Sequence, residues 1–227
     1  MKKKFLLGVL AAGFVSVGMI GCKKDDDTPA QARVLVTHAS PDAPGVDLLV
    51  DDTRVNSAPL TFPNNTGYLP VNAGTRNVKV NAAGTSTTVI NANLNLEAGK
   101  NYSVFAVNRL ANIEAVVFQD DLTTPATGQA HVRVVHLSPD APAVNIGVQG
   151  SATNLFSNIA FKGSTAFAPV PAGTYNLEVR VASNGAVALT VPATLEAGKI
   201  YTVFARGFLA PPTGNTNALG ASIIVNN

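Results

Sequence analysis

The stretch ARVLVTHASPDAP, residues 32–44, returns as AHVRVVHLSPDAP at residues 130–142, identical at nine of thirteen positions. Two more blocks repeat in the same order. FPNNTGYLPVNAGT (62–75) is matched by FKGSTAFAPVPAGT (161–174), and NLEAGKNYSVFAVNRL (95–110) by TLEAGKIYTVFARGFL (194–209) at ten of sixteen positions. The offset is 98 at the first block and 99 at the others, which places a one-residue insertion between them. Three ordered blocks at a fixed offset mark the duplication of one module.

Within each copy the period is two, the period of a strand with one face buried. Val34, Val36 and His38 share one face of the first strand, with Arg33, Leu35 and Thr37 on the other. The second copy sets Val132, Val134 and His136 against His131, Arg133 and Val135. The charged members assign the Val-Val-His face inward and its partner outward. The runs VDLLV, GYLPV, RNVKVN, TSTTVINANL, NYSVFAVNR and IEAVVFQ follow, each bounded by Gly, Pro or Asn. About seven short strands per copy predict an antiparallel sandwich. The expected fold is all-β: two tandem antiparallel sandwich modules, immunoglobulin-like or transthyretin-like, behind an N-terminal signal helix. Expected limits are 1–21 for the signal peptide, 22–31 for an acidic tether, 32–122 for module 1 and 130–227 for module 2. The polar segment between them, TTPATGQ (123–129), reads as a short hinge.

The combination HxSPDAPxV, YxPVxAGT and LEAGKxYTVFA resembles a family of bacterial secreted and lipid-anchored domains known only as a domain of unknown function. The likeness covers both copies and implies location and architecture, without an active site.

The N-terminus MKKKFLLGVLAAGFVSVGMIGC carries three lysines before an uncharged apolar run from Phe5 to Ile20. Sixteen helical residues rise about 24 Å, short of the ~30 Å hydrocarbon core. A basic start, a short apolar run and small residues before a break predict a secretory signal peptide. Met19-Ile20-Gly21-Cys22 resembles a lipobox, which implies acylation of Cys22, the single cysteine. The expected location is the cell envelope, as an outer-membrane lipoprotein exposed at the surface, with a periplasmic-facing orientation as the alternative. The tether KKDDD (23–27) resembles the acidic patch behind the acylated cysteine of surface-exported lipoproteins of the Bacteroidota.

The whole chain has 16 basic and 14 acidic residues. Removing Lys2, Lys3 and Lys4 leaves 13 against 14, and setting the KKDDD segment aside leaves 11 against 11. A neutral body offers no phosphate-neutralising stripe, which argues against nucleic acid as a partner. The expected partners are the membrane, through the lipid anchor, and a surface protein or glycan.

His38, Ser40 and Asp42, with His136, Ser138 and Asp140, have the residue types of a hydrolase triad. Ser40 precedes Pro41, however, which biases it to extended backbone, and no nucleophile elbow surrounds it. The structural reading fits each letter. Pro41 and Pro139 suit the second position of a type I turn, and the turn serine accepts from a local amide. Asp42 and Asp140 cap amides or bond the histidine, and Pro44 and Pro142 return the chain to extended geometry. The imidazole is expected to bond its own turn and close one end of the sandwich.

No cofactor and no metal site are expected. One imidazole and one carboxylate per motif serve zinc poorly. Asp42, Asp47, Asp51 and Asp52 have oxygens suited to calcium, but copy two lacks most of their counterparts. Asp120-Asp121 reads as a solvated strand exit. LEAGK lacks phosphate-loop spacing, so Gly99 and Gly198 read as turn glycines and Tyr102 and Tyr201 as core. The expected function is a non-catalytic binding, scaffold or accessory component. The alternatives are a hydrolase or metal-dependent enzyme at the His/Asp end and a plain spacer. A ligand is sought at 51–67 and 149–166, where the copies differ most.

Overall fold

The structure, a computed structural model, describes residues 29–227. The signal segment and Cys22 lie outside the described residues. Module 1 contains β1 (Gln31–His38), β2 (Val46–Val50), β3 (Thr53–Arg54), β4 (Asn65–Asn72), β5 (Gly74–Ala82), β6 (Thr88–Leu96), β7 (Asn101–Val107) and β8 (Glu114–Asp120). Module 2 contains β9 (Gln129–His136), β10 (Val144–Val148), β11 (Asn154–Ile159), β12 (Ala168–Pro171), β13 (Gly173–Val181), β14 (Val187–Leu195), β15 (Ile200–Arg206) and β16 (Gly220–Val225). The one helical element among the described residues is a 3-10 turn at Leu110–Asn112. Seven strands per module follow from the sequence runs. Each module has an eighth strand: β3 in module 1, two residues long and too short to leave a periodic signal, and β11 in module 2.

Each module stacks two four-stranded sheets. In module 1 the strand orders are β4-β1-β7-β8 and β3-β2-β5-β6; in module 2 they are β12-β9-β15-β16 and β11-β10-β13-β14. The inward assignment of the first strand holds. Val34 and Val36 pack with Val46, Leu48, Val80, Ile90 and Val104, and their counterparts fill module 2. At roughly 1.5–3 kcal/mol for each fully buried aliphatic side chain, these two layers of Val, Leu and Ile drive folding.

Two expectations are corrected. One sheet of each module is mixed, because β1 runs parallel to β7 and β9 parallel to β15, while the other is antiparallel throughout. The LEAGK segment explains why: it carries the chain from β6 in one sheet to β7 in the other. Gly99, at φ 72°, donates its N–H to the carbonyl of Gln31. The crossover thus ends beside the start of β1, and β7 must leave in the same direction. Gly198 repeats the device against Gln129. Tyr102 is buried as expected, and its hydroxyl accepts from the amide of Glu97 at 3.0 Å, as Tyr201 accepts from Glu196.

The second correction concerns the face read as outward. Leu35 and Thr37 are as buried as the core, because the outer face of β1 and β7 packs on that of β9 and β15. Phe105 and Phe204, equivalent residues of the two copies, meet at 6.0 Å between ring centroids. Segment 123–129 therefore joins two modules held by a shared apolar layer rather than acting as a free hinge.

Candidate functional site

Each repeated heptapeptide forms a corner between the first two strands of its module. β1 ends at His38, and the amide of Ala39 donates to Ala106 in β7 before the chain turns at Pro41-Asp42. The His38 ring is fully buried, and its Nε2 lies 2.8 Å from the carbonyl of Pro44. In module 2, His136 Nε2 lies 2.9 Å from the carbonyl of Pro142. A carbonyl only accepts, so Nε2 carries the proton in both rings. Phe62 meets the His38 ring edge-on at 6.4 Å, and Phe161 does the same to His136. Burial pushes both imidazoles below the ordinary histidine pKa, against the opposing pull of those carbonyls.

The other triad-type residues serve the fold separately. Ser40 and Ser138 are fully buried. Ser40 Oγ reaches only Asp42 Oδ1, at 3.5 Å, and Ser138 Oγ has no partner. The remaining ring nitrogen of His136 faces the Ser138 amide at 3.3 Å, not a hydroxyl. Asp42 Oδ1 accepts the amide of Leu110 at 2.7 Å. Asp140 accepts the amides of Leu209 and Ala210 at 2.8 and 3.0 Å. Of the two roles open to the aspartate, the structure places it in the amide cap, holding the loop that follows β7 or β15.

Both corners lie at one end of the molecule. Asn215 and Asn217, on the long loop after β15, donate side-chain amides to the Pro41 carbonyl at 3.0 and 2.7 Å. In return Arg109, from the loop after β7, stacks over Phe208 at 4.6 Å and stands 3.9 Å from Asp140. The chain enters β1 at the opposite end, beside the LEAGK crossovers.

The four aspartates weighed for calcium are not brought together. Asp47 pairs with Arg54 at 2.7 Å, Asp51 with Arg76 at 3.1 Å, Asp52 with Lys79 at 2.5 Å, and Asp42 caps Leu110. Segments 51–67 and 149–166 divide: Phe62 and Asn64 reach the His38 corner and Phe161 and Gly163 the His136 corner, while 154–159 form the edge strand β11. Residues 51–60 run along the edge of β2, where Leu60 bridges Val46 and Asn56 bonds the backbone of Val46 and Leu48.

Asp120 is not a solvated strand exit. Its carboxylate is buried and accepts Arg133 Nη1 at 2.6 Å, Ser103 Oγ at 2.7 Å and the Tyr68 hydroxyl at 2.5 Å. Arg133 also donates to Thr202, whose hydroxyl donates to Asn226, while Asn226 bonds Tyr68. Six side chains from the two modules thus form one closed polar network beside the Phe105–Phe204 contact. Burial and the neighbouring Asp120 charge push the Tyr68 hydroxyl well above its ordinary pKa. The available signal was YSVFAV and YTVFAR, whose apolar residues fall on both faces of one strand.

Residues 32–147 and 138–222 match the family model described as Domain of unknown function (DUF4397). The chain belongs to this family. The two matched segments overlap at 138–147, so the second begins at the buried Ser138 of its corner. No curated protein matches the chain.

Proposed function

We propose that this DUF4397 protein is a lipid-anchored component of the bacterial cell envelope that binds or scaffolds rather than catalyses. One observation carries the reading: the repeated residues with catalytic chemistry are each committed to the fold. Both imidazoles are buried with Nε2–H on a local carbonyl, both serine hydroxyls are buried, and both aspartates cap loop amides. A nucleophile needs an oriented base and an open approach, and these corners offer neither. The same geometry weighs against a hydrolase at the His/Asp end.

Acylation at Cys22 would tether the end where β1 begins. The corners and their capped loops, 108–113 and 207–219, would then face away from the membrane. That end is the natural place for a protein or glycan ligand, since loops on a rigid scaffold carry recognition.

The test uses cells fed an alkyne-bearing palmitate and expressing the full chain or Cys22→Ser. Labelling of the first alone supports the anchor, and equal labelling refutes it. Protease added to intact cells should remove the protein; survival of the full chain places it on the periplasmic side. Pull-down from intact cells with Leu110→Asp/Leu209→Asp as control should lose any partner bound at the capped loops.

A further inference from the structure

Eight strands form sheet edges, and an uncovered edge offers unpaired backbone groups to another strand. Most are blunted. Proline interrupts β4 (Pro70), β12 (Pro169, Pro171) and β14 (Pro192). β11 shifts register twice against β10, and β3 is two residues long. β8 opens with Glu114 and has exposed Gln119 where β16 has Val225. β6 is uncharged and free of proline, but its Ile90 and Leu96 are buried and its Val89 and Leu94 already pack on the core, with no large apolar side chain left exposed.

β16, GASIIV, differs from all of these. It has no charge and no proline, and Ile223 and Val225 are 37% and 52% exposed. Its register fixes which groups are free. The Asn226 amide donates to Ile200, and Ile224 stands opposite Thr202. Alternate residues of an antiparallel strand face opposite neighbours, so Ala221, Ile223 and Val225 direct their N–H and C=O groups to the open edge. Among the described residues, nothing pairs with that edge.

We propose that β16 pairs with β16 of a second copy, antiparallel, about a twofold axis at Ile223. Ile223 then faces its own equivalent and Ala221 faces Val225. Each of the three pairs exchanges two backbone hydrogen bonds, and two four-stranded sheets become one of eight strands. A second copy fits because the strand is self-complementary. It sets a small residue against a larger one at both ends and brings no like charges together across the axis. Ile223 and Val225 are the side chains left exposed on that edge, and an isologous contact covers both patches at once.

The test is Ile223→Cys in the full chain, expressed in cells and exposed to a mild oxidant. Paired residues of this kind lie about 5.5 Å apart at Cα, inside disulfide reach. A reducible dimer is expected. Ala221→Cys places its equivalent four residues away along the strand, roughly 13 Å, and loses the cross-link. Both variants retain Cys22, so it is a common background. Ile223→Cys/Val225→Pro should also lose the dimer while keeping its unfolding transition, because proline removes only an edge-facing N–H. Without cysteine changes, the chain should sediment at twice the monomer mass and Val225→Pro at the monomer mass. A monomeric wild type, or equal cross-linking from Ala221→Cys, overturns the proposal.

Discussion

Arg133 and Asp120, one from each module, meet at 2.6 Å with both side chains sealed from solvent. Their counterparts in the other copy are Leu35 and Asn226, so each module contributes one charge where its twin has none. Breaking a buried pair on one side strands a charge, at a cost of about 3–5 kcal/mol. Asp120→Ala should therefore lower thermal stability by that order, read by calorimetry. Arg133→Leu with Asp120→Asn, which writes each twin's residue into its partner, should recover most of the loss. A double variant no better than Asp120→Ala would show that the ion pair is not what holds the layer.

His38→Leu should lower the unfolding temperature, because it keeps the bulk but leaves the Pro44 carbonyl buried and unpaired. A lost partner for a buried acceptor costs about 1–3 kcal/mol. His136→Leu should behave alike against Pro142. An unchanged unfolding temperature in both would remove the corner's structural role.

Stability should fall on acidification from pH 7 toward pH 5. Burial lowers both folded imidazoles below 6.5, so under that value the unfolded chain takes up protons that the folded chain refuses. The slope approaches about 1.4 kcal/mol per pH unit for each histidine. Asp51 and Asp121 are lowered from 3.8 and act only in more acidic solution. His38→Leu/His136→Leu should flatten the profile between pH 6.5 and 5 in urea unfolding, and an unaltered slope would contradict the assignment.

Gly207→Ala should be far more harmful than Gly185→Ala. Both glycines have positive φ, 79° and 74°, which alone costs an alanine about 1–2 kcal/mol. At Gly207 the added methyl would also lie 2.2 Å from the Ala218 carbonyl oxygen, whereas nothing lies within 4 Å at Gly185. Unfolding curves should separate the two by more than the conformational cost. The Asn215 and Asn217 contacts to Pro41 should loosen with the former alone, visible as faster amide exchange across 207–219.

Much of this architecture is legible in the sequence. The repeats gave two modules, and alternation at Val34 and Val36 gave the inner faces. The heptapeptide gave a corner with its histidine turned onto its own chain. What misled was Arg133: a lone arginine in a strand is ordinarily a solvent-facing residue. Here its partner is 13 positions earlier, on a strand of the other module. Local periodicity holds no information about such a pairing. Asp120 failed for the same reason, and the parallel pairing of β1 with β7 depends on a crossover between sheets that no strand pattern announces.

The Phe105–Phe204 contact has a consequence for the history of the chain. Two identical modules would bring the same residue types to equivalent positions on the two sides of the shared apolar layer. Arg133 where module 1 has Leu35, and Asp120 where module 2 has Asn226, are differences that arise when the halves vary independently within one polypeptide. The copies are thus no longer interchangeable. Excising either half would uncover an aromatic wall and orphan a charge, so neither module should persist as a well-behaved solitary domain.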